Sequence, residues 1–373
     1  MNSKKDAFKR ALCAAGSTFA AAAAFANCDD IVRLDYAPAV SANNLAGARE
    51  ILSSSPECFG GGSTTSRVQI TGTMFQQAAA ISTTLSGRQL LDGPAHIAAA
   101  GLRGASAGAG SGQWNVWGNL GETGTRQRYA ANTVYSGPGF AENEMDVLNA
   151  VFGVDYTFSP GLAAGLSVGI DRGDGSGGHT NPAFAANNIR SRGFAAAPYL
   201  GWQISRTLSL DASIGLGRGG VDTHTTNSVD SHRWYGAANL NYNRWLGNWQ
   251  FGGRASVLHG VEDYGNIRVS GVSYAGTDAR NTLDQLRLAV QAGYWMNGVM
   301  PYAALAYAND VRRKTTQFGA PSNPLGRDGW DWRLGVNFYS LRDGAFGGLA
   351  YGQEEGRNKQ KSHVFTANIG LRF

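Results

Sequence analysis

The feature that most constrains this chain is a two-residue alternation of side chains after residue 113. In the clearest run, apolar residues occupy every second position from Leu148 to Phe158, and most positions between them are small or polar. The same period recurs at 162–170, 208–216, 286–294 and 330–338. This alternation predicts strands with one apolar face, and runs of about ten residues suit tilted strands that cross a bilayer.

The connections between these runs alternate in length. Short turns are expected at 159–161, 205–207, 246–248, 297–298 and 343–345. Longer polar stretches separate the other strand ends, at 129–145, 172–190, 221–231, 260–282, 309–328 and 353–362. A barrel with short periplasmic turns and long external loops requires this parity. A soluble β-sandwich or an adhesive β-repeat fits the parity and the strand lengths less well.

The expected fold is therefore all-β. Six long and five short connections predict a 12-stranded antiparallel transmembrane barrel over 113–373, with both of its ends on the periplasmic side. The low share of charged residues, 16%, and the 52 glycines suit such strands. The net charge is +5, but residues 1–26 carry +3 of it, which leaves +2 for the remainder. That balance does not indicate a nucleic-acid partner, and none is expected.

The amino-terminal residues 1–26 have the pattern of a secretory signal peptide. Lys4, Lys5, Lys9 and Arg10 precede a small, apolar stretch that ends in Ala24 and Ala26. This order predicts export through the Sec pathway with cleavage between Ala26 and Asn27. An amphipathic core helix is the alternative, and the charged start and the cleavage residues argue against it.

Residues 27–66 form a short exported segment without a core of its own. A segment of about 40 residues needs a covalent cross-link to fold on its own. Cys28 and Cys58 are candidates for such a disulfide in an oxidising compartment. Two unpaired thiols are the alternative. After this segment, Ile70, Met74 and Ile81 recur at helical spacing and predict a helix over 67–92. The Ala/Gly/Ser-rich stretch 93–112 is expected to be a flexible linker.

The last predicted strand carries a specific signal. Its apolar face consists of Phe365, Ala367, Ile369, Leu371 and the terminal Phe373. This ladder resembles the signal that the barrel assembly machinery recognises in outer-membrane proteins. An exposed edge strand can be handed to another barrel by strand addition, which is a physical reason for the likeness.

The order of these segments resembles a known family. A signal peptide, a short exported segment, a helix and a barrel ending in Phe resemble a classical (type Va) autotransporter, whose carboxy-terminal translocator β-domain spans Gln113–Phe373, about 70% of this chain. The resemblance implies that the barrel closes around the preceding helix and passes the upstream segment to the cell surface. Lumen-facing Arg254, Arg287 and Arg333 are candidates for contact with the helix. Alternatively, they pair only with carboxylates such as Asp211 or Asp331.

The resemblance implies an outer-membrane translocator, in contact with membrane lipid, that exports or displays its own amino-terminal segment. Its passenger is unusually short, and the chain is expected to be a monomer. The alternative is an adhesin whose loops bind a host receptor, because Arg172-Gly173-Asp174 has the integrin-binding sequence and falls in a predicted loop.

No enzymatic activity, metal or cofactor is expected. A weaker hypothesis, a barrel hydrolase, would use the repeated spacings Asp222/His224 and Asp230/His232. Neither pair has a nucleophile or a further metal ligand at suitable spacing.

Overall fold

The computed structural model describes residues 64–91, 113–130, 140–159, 161–179, 187–223, 227–269, 271–273, 278–317, 320–321, 326–340 and 344–372. These residues form one helix, α1 (Thr64–Leu91), and twelve long strands. The strands are β1 (Gln113–Ala130), β2 (Phe140–Ser159), β3 (Leu162–His179), β4 (Asn187–Gln203), β5 (Leu208–Thr223), β6 (Asn227–Leu246), β7 (Trp249–Tyr264), β8 (Ala279–Tyr294), β9 (Val299–Gln317), β10 (Asp328–Ser340), β11 (Ala345–Glu355) and β12 (Gln360–Arg372). The predicted features at Ala26, Asn27, Cys28, Cys58, 93–112 and Phe373 lie outside the described residues.

Every strand pairs antiparallel with its neighbours along the chain, and the sheet closes on itself. β1 pairs with β12 in a continuous register from Asn115↔Arg372 to Gln127↔Gln360. Closure removes the sheet edges, so every strand has two hydrogen-bonded neighbours. The prediction of a closed 12-stranded antiparallel barrel is confirmed for the part of the chain described.

The predicted faces are also confirmed. Leu148 and Phe152 on β2 are each 57% exposed on the outer surface, whereas Asn149 between them is 3% exposed and faces the lumen. On β12, Phe365, Ile369 and Leu371 point outward as expected. Apolar residues thus cover the outside of this barrel and polar residues line its inside, as a membrane-spanning barrel requires.

The strands are longer and the loops shorter than the sequence predicts. The loop expected at 129–145 is wrong in its bounds, because β1 and β2 remain paired up to Ala130↔Phe140. At this end the outward side chains form ion pairs, such as Arg126 with Glu144 at 2.6 Å and Arg128 with Glu142 at 3.0 Å. Strands continue beyond the apolar band because backbone pairing does not need a lipid-facing surface.

The helix lies inside the barrel, close to the predicted range. Its Met74, Ala78 and Ile81 are buried against lumen-facing aromatic residues, which confirms the predicted apolar face. Met74 lies beside Gly260 near the loop end of β7, and Leu85 lies beside Gly201 near the turn end of β4. The amino end of α1 is therefore directed to the loop end of the barrel. No helix in the described ranges is both long and apolar enough to cross a membrane.

Candidate functional site in the barrel lumen

Polar side chains anchor the helix to the barrel wall. Gln77 donates through Nε2 to Ser167 Oγ at 3.2 Å and to the carbonyl oxygen of Ala195 at 3.4 Å. The preceding residue, Gln76, points to another part of the wall and donates to the Thr123 hydroxyl. These contacts reach β1, β3 and β4, so they fix the rotation of the helix against several strands at once.

Asp211 on β5 accepts three hydrogen bonds in the lumen, one of them from the helix. Its Oδ2 accepts a hydrogen bond from Ser82 Oγ of the helix at 2.8 Å and one from Asn241 Nδ2 at 2.8 Å. Its Oδ1 accepts from Asn239 Nδ2 at 2.7 Å. Acceptance at both oxygens is the pattern of an ionised carboxylate, and bonds to a charged group are the stronger ones.

The sequence leaves open whether the lumen arginines contact the helix or pair with carboxylates, and the structure shows both kinds of contact. Arg254 donates through Nη2 to Ser86 Oγ of the helix at 3.3 Å and through Nε to Asn241 Oδ1 at 2.6 Å. Arg287 pairs with Asp331, and its guanidinium also lies 5.3 Å from the ring centroid of Phe75 on the helix. Arg333 has no hydrogen-bond or ion-pair partner among the described residues.

A chain of two hydrogen bonds joins aromatic and acidic side chains of the wall where the helix packs. Trp117 Nε1 donates to the Tyr199 hydroxyl at 2.7 Å, and that hydroxyl donates to Asp155 Oδ2 at 2.7 Å. The indole lies so close to the backbone of Gly153 that a Cβ there would collide with it. Glycine at this position allows a bulky aromatic side chain to lie flat on the inner wall.

The helix does not fill the lumen. It packs mainly on β1–β7, and a cavity of about 390 Å³ remains beside it. Phe75 and Thr83 of the helix border the cavity, as do Arg287, Arg333 and Asn337 of the facing wall. The helix therefore takes up part of the barrel interior, and the remaining space is large enough for water and small ions.

An ion network lies at the loop end. Asp310 on β9, opposite the start of β10, accepts from Arg357 Nη1 at 2.8 Å and pairs with Arg313. Arg357, in the turn between β11 and β12, also donates to Glu354 Oε1 at 2.7 Å. Burial lowers the pKa of Arg357, but its attraction to Glu354 and Asp310 outweighs burial and raises that pKa overall. The network ties β9 to the β11–β12 turn.

The tripeptide Arg172-Gly173-Asp174 does not lie in a loop. It belongs to β3, where Gly173 pairs with Val147 and Ser191. Asp174 is shared by Arg172 at 3.6 Å and Arg190 at 3.5 Å. The predicted loop placement is wrong because β3 extends to His179. A role of this tripeptide in adhesion stays a prediction.

The hydrolase hypothesis finds no support in the geometry. Asp230 is paired with Arg268 at 2.7 Å, and His232 is an exposed side chain on the outer face of β6. His224 lies outside the described residues. Within the ranges that the structure describes, no group of three or more His, Cys, Asp or Glu side chains is arranged to hold a metal ion.

Several functional contacts escape sequence reasoning. The sequence identifies Asp211 as a possible partner of arginine, but not its bond to Ser82, which lies 129 residues away. The Asp310 network is missed as well. One sequence signal could have identified both Asp211 and Asp310. Each carboxylate faces the lumen in a strand whose other lumen-facing residues are mostly small or uncharged. An ionised group in such surroundings needs a partner.

The sequence model of the autotransporter beta-domain family matches residues 116–352. Among solved structures, the translocator domain of the autotransporter NalP from Neisseria meningitidis is 14% identical with a TM-score of 0.56, and the match covers 79% of this chain and 98% of that one. The transport unit of the autotransporter AIDA-I from Escherichia coli is 10% identical with a TM-score of 0.52, and the match covers 80% of this chain and 99% of that one.

The beta domain of the Bordetella autotransporter BrkA is 17% identical with a TM-score of 0.51, over 71% of this chain and all of that one. At these identities the structural likeness establishes the fold alone. No curated protein sequence matches. The family match covers more than half of the chain. The chain therefore belongs to the autotransporter beta-domain family, and it is an outer-membrane β-barrel translocator domain.

Proposed function

We propose that this barrel exports or displays its own amino-terminal segment at the cell surface. The observation that carries the proposal is the direction of α1. Met74 lies near the loop end of the barrel and Leu85 near the turn end, so the chain that precedes the helix is attached at the loop end. If that end faces outward, as short periplasmic turns require, the upstream segment begins outside the membrane.

The polar contacts between the helix and the barrel wall support the same proposal. Ser82 and Gln77 of the helix form hydrogen bonds with Asp211 on β5, Ser167 on β3 and the Ala195 carbonyl on β4. A segment that had merely been trapped in the pore would not be expected to match several strands in this way. In this proposal the docked helix is the state after transport, because it occupies the pore that the segment would have crossed and leaves a cavity of about 390 Å³ beside it.

The proposed route uses the Sec pathway to the periplasm and the barrel assembly machinery for insertion. Signal cleavage after Ala26 makes Asn27 the new amino terminus, and the segment 27–66, which includes the proposed Cys28–Cys58 disulfide, stays attached to the helix. The barrel acts as a monomer in contact with outer-membrane lipid, and transport by this chain includes no catalytic step.

Protease treatment of intact cells tests the proposal. An epitope tag near residue 40 is expected to be degraded by added protease, because it lies outside the cell. The same tag inserted at Gly247–Asn248, a short turn between β6 and β7, serves as the matched control and is expected to stay protected until the outer membrane is opened. A tag near residue 40 that remains protected, in a barrel shown to be folded, refutes the export proposal.

A further inference from the structure

We propose that the outer face of β3, β4 and β5 binds the phosphate groups of a glycolipid in the outer leaflet of the membrane. The binding group is a row of outward-facing arginines, one on each strand: Arg172, Arg192 and Arg218. These three residues are called the arginine row. The inference shares with the proposed function only the assignment of the loop end to the outside.

The three arginines each follow the last outward apolar residue of their strand, just beyond the apolar band. On β3 the outward residues run from Leu162 through Ile170 and are followed by Arg172. On β4 they run from Trp202 to Phe194 and are followed by Arg192. Ten residues of tilted strand rise roughly 25 Å, which is the height of the apolar band of an outer-membrane barrel. The guanidinium groups therefore lie where lipid headgroups begin.

β5 repeats this arrangement. Its outward residues from Leu208 to Leu216 are followed by Arg218. Arg172 lies directly opposite Arg192 in the antiparallel register, and Arg218 lies opposite Phe194, which makes it a diagonal neighbour of Arg192. Like charges that face each other across strands destabilise a sheet. A bound anion would remove that repulsion.

The protein itself supplies little countercharge at this height. Neither Arg192 nor Arg218 has an ion-pair partner among the described residues. The nearest outward-facing carboxylates lie beyond the arginine row, two residues further along the strands toward the loop end. There Asp174 is shared between Arg172 and Arg190, and Asp222 faces Arg190 in the register.

Two other carboxylates near the row do not neutralise it. Asp146 on β2 lies beyond Asp174, opposite it in the register. Asp230 on β6, which faces Gly220, is already paired with Arg268 at 2.7 Å. On the β1–β2 face of the barrel, in contrast, Arg126 and Arg128 each have a glutamate partner within 3.0 Å. The arginines of the row at Arg192 and Arg218 thus differ from those of the β1–β2 face in having no ion-pair partner among the described residues.

The surface around the row fits a lipid better than a free anion. The guanidinium fork of arginine binds phosphate oxygens in pairs. Directly below it, Ile170, Phe194 and Leu216 are all more than 50% exposed and offer a surface for acyl chains. A phosphorylated glycolipid satisfies both contacts at once, whereas inorganic phosphate satisfies only the first.

Native mass spectrometry of the purified, full-length folded protein in detergent tests the inference. The probe is bisphosphorylated lipid A, compared with lipid A from which both phosphates have been removed. We expect adducts with the phosphorylated form and few with the other. The double variant R192Q/R218Q is expected to bind the phosphorylated form roughly 25-fold more weakly, about fivefold for each arginine removed.

The variant R126Q/R128Q is the matched control, because it removes the same charge from ion-paired positions; it should bind like the original protein. Heat-dependent gel mobility verifies that each variant is a folded barrel. Equal binding of the two lipid forms to the original protein would overturn the inference without any variant. Equal binding of phosphorylated lipid A by R192Q/R218Q and R126Q/R128Q would also overturn it. Displacement of the lipid by inorganic phosphate at a similar concentration would do the same.

Discussion

Replacing Ser82 with alanine tests whether the helix is held by a specific bond in the lumen. Ser82 is fully buried, and its hydroxyl donates to Asp211 Oδ2 at 2.8 Å. The substitution removes one donor from a buried carboxylate and changes the volume of the contact very little. Asn239 and Asn241 still donate to Asp211, so the carboxylate keeps two of its three hydrogen bonds.

The size of the effect follows from this partial compensation. A hydrogen bond to a charged group contributes about 1.5–3 kcal/mol net. Because two donors remain, we expect the lower part of that range, about 1.5–2 kcal/mol. At about 1.4 kcal/mol for each factor of ten, the ratio of docked to undocked helix should fall roughly 10- to 30-fold.

Single-channel recording in a planar bilayer measures this ratio, since an undocked helix opens the lumen to ions. Ser82→Ala should raise the ratio of time spent at high conductance to time at low conductance by that factor. Ser86→Ala is the matched control: it removes a longer contact, 3.3 Å to Arg254, and should change the ratio by less than about fivefold. If Ser82→Ala leaves the ratio unchanged, or changes it no more than Ser86→Ala does, the bond to Asp211 does not hold the helix.

Three further predictions concern the barrel itself. Gly153→Ala should lower barrel stability by about 1–3 kcal/mol, seen as a lower transition temperature in heat-dependent gel mobility, because the new methyl group collides with the hydrogen-bonded Trp117 ring; an unchanged temperature contradicts this packing. Asp310→Asn should cost about 2–3 kcal/mol in urea unfolding, below the full cost of breaking a buried pair, because Arg313 loses its carboxylate partner while Arg357 keeps Glu354; a loss below about 1 kcal/mol would show that the network is not structural. Deleting Phe373 should reduce the yield of assembled barrel in the outer membrane, and an undiminished yield would count against the terminal strand as an assembly signal.

The sequence predicts this fold well because the membrane imposes a strict pattern on it. Lipid requires apolar residues on one face of each strand, and the closed sheet requires alternating short and long connections. The strand count and the inward and outward faces of β2 and β12 follow from those two constraints. The helix follows from the spacing of Met74 and Ile81.

The upper parts of the strands could not be predicted in the same way. Beyond Ile170, β3 continues for nine residues to His179, but both of its faces are polar or glycine there. Pairing between backbones leaves no hydropathy pattern when water replaces lipid on the outside. The sequence therefore reads Arg172-Gly173-Asp174 as a loop. The bond between Ser82 and Asp211 is also unpredictable, because it depends on how far the helix is inserted along β5.

The extension of the strands past the arginine row has a mechanical consequence. From Arg172 to His179, seven residues of hydrogen-bonded strand stand above the headgroups, which is roughly 18 Å for a tilted strand. On this side the barrel thus ends in a stiff wall above the lipid surface, whereas β11 ends at Glu355 on the other side. In the proposed export, a chain that emerged beside this wall would leave the lumen above the lipid headgroups, where it could fold or meet a partner without first displacing them.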